Sequence, residues 1–325
     1  MMRVLVTGAS GFIGRALVPA LVRAGWEVVA ASRSTPSPWP GDVADRIENA
    51  RLQDLRRYVD WQALLKRKID AVVHLAGMAH GGRAIDAADC DRINRAATTD
   101  LARAAAAVPV SHFVFMSSVR AQTGPSARAV VTERDSPVPS DAYGRSKLAA
   151  EEAVREAIAS HTILRPVLVH GPGAKGNFAS LERLAALRCP LPLLGLHARR
   201  SLLALDSLVQ VVCFILATPR TRGETYLVAD TPSLTLAEIV GVLRKRKGRS
   251  QGMLNLPESI IEAGLRGIGR HDVWRRLGEP LVVDMAKLVS HGWTPTAGLG
   301  AWVATPLCPA DIFAPGQAIV TIDGQ

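Results

Sequence analysis

The sequence predicts an α/β fold in which a doubly wound parallel sheet is combined with a smaller, interleaved C-terminal lobe. Through residues 1–168, short apolar runs alternate with alanine-rich helical segments, a pattern typical of parallel strands covered by helices on both faces. A glycine-rich turn follows the first apolar run directly. After residue 168 prolines interrupt the alternation, so residues 169–304 are expected to form mainly the lobe, with late strands returning to the sheet. Residues 305–325 fit neither part and form an atypical tail.

The first predicted strand, residues 3–7, runs directly into Gly-Ala-Ser-Gly-Phe-Ile-Gly at residues 8–14. Apolar residues then recur on one helix face as far as Gly25, and a second strand is predicted at residues 27–31. This order is the context that a dinucleotide fingerprint requires, because glycines let the backbone approach a pyrophosphate and the helix N-terminus offers free N–H groups. The pattern therefore indicates a Rossmann-type NAD(P) site rather than an ordinary glycine-rich turn. The loop residues expected to contact the cofactor are Gly8, Ser10, Gly11, Phe12, Ile13 and Gly14.

The end of the second strand bears on the choice of cofactor. NAD-binding proteins usually place an acid there for the ribose hydroxyls, whereas this chain has Ser32 and Arg33. No carboxylate is present to repel a 2′-phosphate, and a guanidinium is present to pair with one. The sequence therefore favours NADP(H), with NAD(H) possible; the alternative is that Arg33 is only a solvated loop residue.

Three further strands follow in the first half of the chain, at residues 69–77, 112–118 and 162–166. Helices are predicted between them, at residues 87–107 and 142–159. Because ligands of such sheets bind at the carboxyl ends of parallel strands, we expect Gly8, Gly77 and Ser118 to converge in space.

Tyr143 and Lys147 are the strongest candidates for chemistry. Their spacing places a phenol and an ammonium on one helix face, one turn apart. A free tyrosine titrates near ~10, and a neighbouring cation is expected to lower that pKa. The pair therefore indicates a proton-transfer group, and the glycine loop strengthens what would alone be a weak pattern.

Bulk composition excludes several classes of partner. The net charge is +10, but the only tight basic run, residues 244–249, has no interleaved aromatic residues, which disfavours nucleic acid and favours a solvated helix end. No run approaches the ~20 apolar residues of a membrane span, and the first residues lack a signal-peptide layout. The four cysteines have no metal-site spacing. We therefore expect a cytoplasmic protein without a metal, whose charge excess suits anionic ligands.

Motifs in a consistent order extend over about residues 2–304. They lie at residues 7–14, 54–55, 74–77, 94, 117–118, 143–147, 164–166, 171–173, 199–201, 281–284 and 292–295. In this order and spacing the chain resembles the extended short-chain dehydrogenase/reductase family, in particular its nucleotide-sugar epimerases, dehydratases and reductases of polysaccharide biosynthesis.

The resemblance implies a role for each catalytic candidate. Ser118 would hydrogen-bond the reacting sugar oxygen, and Tyr143 would move the proton. Lys147 would bind the nicotinamide ribose and lower the tyrosine pKa, while Asn94 would lie beneath the site. It also implies cofactor contacts from Asp54, Leu55, Leu75, Ala76, Gly77 and Pro166.

For the substrate, the resemblance implies that Asn177 and Arg199 hold the diphosphate of a nucleotide sugar. A guanidinium binds phosphate bidentately, which gives the Arg199 assignment physical sense; the alternative is a surface ion pair. A homodimer formed through the long helices is a further expectation from the family.

The chain departs from the family pattern after its serines. The family often continues Val-Tyr-Gly, whereas residues 119–122 read Val-Arg-Ala-Gln, which changes the expected contacts to the sugar. The dehydratase branch usually carries an Asp-Glu pair there, so dehydration is set aside.

The Ser–Tyr–Lys set alone serves more than one reaction. The end of the second strand favours an NADPH-linked 4-ketoreductase of a UDP-sugar in polysaccharide or lipopolysaccharide precursor synthesis. The alternative is a UDP-glucose or UDP-N-acetylglucosamine 4-epimerase with bound NAD. A non-catalytic dinucleotide-binding sensor is a third possibility, which the intact set of Ser118, Tyr143 and Lys147 disfavours.

Overall fold

A computed structural model describes residues 2–34, 38–78, 86–174, 176–295 and 299. Seven parallel strands form its main sheet, in the spatial order β10-β6-β5-β4-β1-β2-β3. They are β1 (Arg3–Thr7), β2 (Glu27–Ser32), β3 (Ile47–Arg51), β4 (Ala71–His74), β5 (His112–Met116), β6 (His161–Pro166) and β10 (Glu224–Val228). The order reverses between β1 and β4, which confirms the predicted doubly wound sheet and defines its switch point.

Four short strands lie outside the main sheet: β7 (Leu168–His170), β8 (Arg199–Arg200), β9 (Leu202–Ala204) and β11 (Leu234–Thr235). The helices of the first half are α1 (Phe12–Arg23), α2 (Trp61–Leu65), α3 (Ala87–Cys90), α4 (Ala97–Ala106), α5 (Val119–Gln122) and α6 (Ala142–Ala157). Those of the second half are α7 (Asn177–Ala186), α8 (Leu205–Ala217), α9 (Leu236–Arg246), α10 (Glu258–Gly267), α11 (His271–Leu277) and α12 (Ala286–Ser290). A π-helical segment, Asp91–Ala96, joins α3 to α4.

Two apolar cores cover the two faces of the sheet. On one face, Leu17 of α1 and Val212 of α8 pack against alternate residues of the strands, whereas Leu101 of α4 and Val154 of α6 pack on the other face. Successive strand residues point to opposite faces, so a sheet that is covered on both needs an unbroken apolar run. This requirement explains why the first strand reads Val-Leu-Val.

The C-terminal lobe has a third core, formed by α7, α9 and α11. Phe178, Ile239 and Trp274 are buried within it. The predicted boundary at residue 168 falls at the start of β7, and the chain later returns to the sheet through α8 and β10. The tail at residues 305–325 lies outside the described residues. Within the described ranges, no helix is long and apolar enough to cross a membrane.

Candidate functional site

The glycine loop between β1 and α1 is packed too closely for larger residues. Gly8 has a φ of +72°, and a Cβ built there would lie 2.8 Å from the Ala76 amide nitrogen. A Cβ at Gly14 would lie 2.5 Å from the carbonyl oxygen of Gly8. Helix α1 begins at Phe12 with no acidic residue in its first turn. The loop therefore presents bare backbone and a helix N-terminus, the combination that a pyrophosphate requires.

A buried hydrogen-bond chain fixes the β4 turn against this loop. The Ala76 amide donates to Thr7 Oγ1 over 3.1 Å, and Thr7 Oγ1 lies 2.7 Å from His74 Nδ1. The other ring nitrogen of His74 lies 3.0 Å from Thr98 Oγ1. Burial lowers the pKa of His74 to about 3, so the ring is neutral. The predicted turn residues Leu75 to Gly77 are thus positioned by Thr7 and His74, to which the sequence analysis gave no role.

The end of β2 carries the predicted cofactor-selecting residues. The Ser32 hydroxyl donates to the main-chain carbonyl two residues later over 2.7 Å, and Arg33 is exposed. Asp54 accepts from the Arg56 amide over 3.0 Å, and this hydrogen bond, with smaller effects of the Arg56 and Arg33 charges, lowers the pKa of Asp54. Arg33 and Asp54 therefore lie within electrostatic reach of each other, while the neighbouring Leu55 is buried.

Tyr143 lies at the start of α6, where Asp141 caps the helix by accepting from the Gly144 amide over 2.7 Å. The phenol is buried and hydrogen-bonded to Ser118. Burial raises the pKa of Tyr143 to about 12, although the Ser118 hydrogen bond lowers it. The predicted lowering of this pKa is wrong, because desolvation outweighs the charges around the phenol.

Lys147 is directed at the carboxyl end of β5. Its Nζ donates to the Met116 carbonyl over 2.9 Å and lies 4.8 Å from the centroid of the Phe115 ring. Burial lowers the pKa of Lys147 to about 8, and the Glu151 carboxylate opposes that shift. The side chain therefore still carries an ammonium at neutral pH.

Asn94 connects the π-helical segment to both sides of the site. Its Nδ2 donates to Ser146 Oγ over 3.1 Å, and its Oδ1 accepts from the Met78 amide over 2.8 Å. A Cβ at Gly77 would lie 2.9 Å from that Oδ1 and 3.4 Å from Lys147 Nζ. Asn94 thus holds the β4 turn next to α6, and Gly77 leaves space for both polar groups.

A cavity of about 540 Å³ lies between the carboxyl edge of the sheet and the lobe. The predicted residues that line it are Ile13, Leu75, Gly77, Ser118, Tyr143, Lys147, Pro166 and Asn177. Arg199 lies outside this lining: it is exposed, and its Nε donates to Ser233 Oγ over 3.2 Å. The next residue, Arg200, lines the cavity together with Arg120 and Arg275. The sequence analysis assigned none of these three, although the unusual residues after Ser118 had singled out the region of Arg120.

An ionic cluster is buried behind the catalytic residues. Glu151 accepts from Ser117 Oγ over 2.5 Å, from Arg165 Nε over 2.9 Å and from Arg155 Nη2 over 3.0 Å. Arg165 also donates to Gln122. Sequence reasoning missed Glu151, although its position one turn after Lys147 on the same helix face was a usable signal. Across the described ranges, no group of three or more histidine, cysteine, aspartate and glutamate side chains is arranged to hold a metal ion.

These features define a class of protein. A glycine loop at the sheet switch point and a Ser–Tyr–Lys set at the same edge match the pattern of NAD(P)-dependent enzymes of the extended short-chain dehydrogenase/reductase type. The chain belongs to the NAD dependent epimerase/dehydratase family, whose sequence profile matches residues 4–229.

Two relatives have sequences similar to this chain, and one solved structure shares its fold. It is 29% identical over 306 residues to a UDP-glucose 4-epimerase of Vibrio cholerae, with 90% of each chain covered. It is 30% identical over 313 residues to a dTDP-6-deoxy-L-talose 4-dehydrogenase (NAD(P)(+)) of Kitasatospora kifunensis, covering 90% of this chain and 91% of the relative. A UDP-glucuronic acid 4-epimerase of Bacillus cereus in complex with NAD has the same fold, with a TM-score of 0.72, 22% identity and coverage of 93% and 96%. The chain is therefore an NAD(P)-dependent enzyme of the nucleotide-sugar epimerase and reductase group.

Proposed function

We propose that the protein is an NADPH-linked 4-ketoreductase that acts on a UDP-sugar. The observation that carries this proposal is the end of β2, where an exposed arginine follows Ser32 in place of an acid. A guanidinium at this position can pair with a 2′-phosphate, and no side chain of Ser32 or Arg33 repels it. The named specificity of the Kitasatospora relative, which includes both NAD and NADP, is compatible with this preference.

The residues of the site fit a bound dinucleotide. The loop at Gly8 and Gly14 leaves no room for a Cβ, so its backbone can lie against a pyrophosphate at the N-terminus of α1. Lys147 would hold the nicotinamide ribose and Arg33 the 2′-phosphate. When bound, NADPH supplies a hydride to the ketone carbon.

The protein side chains complete the reduction by delivering a proton. Ser118 hydrogen-bonds Tyr143 and would orient the C4 oxygen of the substrate towards the phenol. Because the pKa of Tyr143 is about 12, the phenol is protonated at neutral pH and is ready to act as the proton donor. The Lys147 ammonium would then stabilise the phenolate that remains.

The substrate diphosphate is proposed to lie at the lobe. Asn177 is the first residue of α7 and lines the cavity, so its amide and the helix N-terminus are both directed at this region. Binding by Arg199 would require its side chain to leave Ser233 and turn towards the cavity mouth. We further propose that the enzyme works in the cytoplasm, as a homodimer, on precursors of polysaccharide or lipopolysaccharide.

The second candidate is a UDP-glucose or UDP-N-acetylglucosamine 4-epimerase with permanently bound NAD. The specific observation in its favour is the Vibrio cholerae relative, which covers 90% of both chains and is a UDP-glucose 4-epimerase. The same Ser118, Tyr143 and Lys147 would serve it, since an epimerase oxidises C4 and then reduces it from the opposite face. The sensor hypothesis is set aside because the chain belongs to an enzyme family and keeps all three residues.

Cofactor use separates the two candidates. Incubation with NADPH and UDP-4-keto-6-deoxyglucose should consume NADPH in proportion to product, and UDP-glucose alone should give no epimer. Arg33→Ala should weaken NADP(H) about 10-fold and leave NAD(H) nearly unchanged, because only NADP(H) carries the phosphate. Arg103→Ala, an exposed arginine of α4, is the matched control. A purified protein that retains NAD and equilibrates UDP-sugars without added cofactor would replace the reductase with the epimerase.

A further inference from the structure

Arg120 occupies the cavity wall directly beyond the catalytic serine. It belongs to the short helix α5, which Ser118 caps by accepting from the Arg120 amide over 3.2 Å. Its Nη2 lies 2.5 Å from a carboxylate oxygen of Asp141, two residues before Tyr143. The Arg120 charge also lowers the pKa of Tyr143. The guanidinium is therefore anchored at the end of the cavity where the reacting carbon must lie.

Most of the hydrogen-bonding capacity of Arg120 is unused. The side chain is only 15% exposed, and its hydrogen bonds to Asp141 and Ser140 are both made by Nη2. Its Nε and Nη1 are buried and have no hydrogen-bond partner among the residues that the structure describes. Buried donors of a charged group are costly to leave unpaired. A rotation of the guanidinium would offer these donors to an acceptor in the cavity.

Arg200 adds a second poorly compensated charge to the same cavity. Among the residues that the structure describes, its guanidinium donates only to main-chain carbonyl oxygens, those of Glu279 and of Pro125, the latter at 2.9 Å. Burial, and next the charge of Arg120, lower the pKa of Arg200 to about 10, while the Glu279 carboxylate opposes the shift. The two guanidinium groups thus lie close enough to repel each other.

The charges around the cavity do not balance. Its charged lining residues, within the described part of the chain, are Arg120, Lys147, Arg200, Arg275 and Asp141. Asp141 is already shared between Arg120 and the N-terminus of α6. An anion placed between the arginines would relieve the repulsion and supply acceptors for the unused donors.

We propose that Arg120, supported by Arg200, binds a carboxylate carried on the sugar ring, so that the sugar of the nucleotide-diphosphate substrate is a uronic acid. Its C4 ketone is then the substrate and its C4 alcohol the product, and UDP-4-keto-6-deoxyglucose is a test ketone that lacks this contact. This inference rests on the proposed function, in which the C4 oxygen lies at Ser118 and Tyr143. A C6 carboxylate is attached to C5, next to C4, and therefore belongs beside Tyr143, where Arg120 lies. The diphosphate is the other anion of such a substrate, but it is remote from the reacting carbon and is assigned to the Asn177 end of the cavity.

The test compares three ligands on the full chain saturated with NADPH, where none of them is turned over. Calorimetric titration with UDP-glucuronate, UDP-glucose and UDP measures how much the carboxylate adds to the binding affinity, separately from the nucleotide. The wild type is expected to bind UDP-glucuronate at least about 10-fold more tightly than UDP-glucose, the size expected for a hydrogen bond to a charged group. Arg120→Gln should remove this preference and change the affinity for UDP-glucose and UDP by less than about twofold. Arg145→Gln, an exposed arginine of α6 with the same change of charge, should keep the preference.

The outcomes separate this inference from the proposed function. If the wild type binds UDP-glucose as tightly as UDP-glucuronate, the carboxylate site is wrong and nucleotide-sugar binding stands. If Arg120→Gln weakens all three ligands equally, Arg120 contacts the diphosphate and the inference is also overturned. If not even UDP binds, both proposals fail. Thermal unfolding checks that Arg120→Gln is folded. If it is not, Arg120→Lys replaces it, because lysine keeps the charge but lacks the planar set of guanidinium donors. The inference then requires that Arg120→Lys reduce the preference for UDP-glucuronate over UDP-glucose.

Discussion

Two arginines that pair with carboxylates at helix α6 lie in contrasting surroundings. Arg165 lies behind the catalytic helix, where Glu151 accepts two of its hydrogen bonds and Gln122 accepts a third. Arg120 lies in front, in the cavity wall, where one carboxylate contacts one of its nitrogens and two nitrogens have no hydrogen-bond partner in the described ranges. Both guanidinium groups are largely buried, so the difference lies in how completely each charge is compensated.

The contrast indicates what each charge is for. A buried ion pair with all of its donors satisfied holds a structure in one arrangement and has no capacity for a ligand. A buried cation with unused donors next to a cavity is costly to the protein alone and gains most when an anion arrives. The Glu151 cluster behind the helix therefore positions α6, and Arg120 and Arg200 provide binding capacity at the cavity.

The front region contains the residue with the largest expected effect. Tyr143→Phe should lower kcat by about 10² to 10⁴, because the positioned proton donor is lost. Its phenol is hydrogen-bonded to Ser118, at the cavity and outside the Glu151 cluster, so the unfolding temperature and cofactor affinity should change little. Steady-state kinetics and thermal unfolding measure both. Activity within a few-fold of the wild type would remove Tyr143 from the catalytic role.

Substitutions in the Glu151 cluster should mainly lower the free energy of unfolding. Glu151→Gln keeps the shape of the side chain but leaves the buried Arg165 without a counter-charge, which should cost about 3–5 kcal/mol of unfolding free energy. Urea unfolding at fixed pH measures the loss. Glu152→Gln, the exposed neighbour on α6, should stay within about 0.5 kcal/mol of the wild type.

At the cavity, Arg200→Gln is the variant to compare with Glu151→Gln. It removes hydrogen bonds to two carbonyl oxygens and relieves repulsion with Arg120, so a loss of about 1 kcal/mol or less is expected. Equal losses for Glu151→Gln and Arg200→Gln would contradict the distinction between a structural pair and a binding charge.

Lys147 connects the two regions and should set a pH limit on turnover. Its pKa is about 8, lowered from 10.5 by burial and supported by Glu151. A lysine is charged below its pKa, so a step that needs the ammonium should slow as the pH rises through about 8. Glu151→Gln removes the supporting charge and should move this descending limb to lower pH. The dependence of kcat on pH, measured for the wild type and Glu151→Gln at a temperature where both are folded, tests this expectation. A descending limb at the same pH in both proteins would show that Glu151 does not act on Lys147.

Local patterns predicted much of the sheet and of the cofactor loop. The unbroken apolar run of β1 and the close packing at Gly8 depend on a few neighbouring residues, so the sequence contains the whole signal. The spacing of Tyr143 and Lys147 likewise fixed their common helix face. The edge strand β3 was not predicted, because only Ile47 and Ala50 of its five residues are buried and the apolar pattern is weak.

Long-range placement decided what the sequence left open. Glu151 and Arg165 meet because α6 packs on β6, which no local pattern reveals. The sequence spacing predicts a cation near Tyr143 and hence a lowered pKa. The burial of the phenol, which depends on the whole fold, raises the pKa instead. The resemblance to the family selected Arg199, whereas Arg200 lines the cavity. Neighbouring residues of a strand point to opposite sides, so a local pattern does not show which of these two arginines faces the cavity.

Of the two arginines of β8, Arg199 is the one whose substitution should have the smallest effect on activity. Arg199 is exposed and hydrogen-bonded to Ser233, so any contact with the substrate diphosphate is made near solvent. Arg199→Ala should therefore raise KM for a UDP-sugar by about two- to fivefold, the usual worth of an exposed charge pair. The change in kcat should be less than about twofold, because the diphosphate is bound equally in the ground state and the transition state. Arg183→Ala, another exposed arginine of the lobe, should change neither constant. A fall in kcat with KM unchanged would move Arg199 from the diphosphate to the reacting end of the substrate.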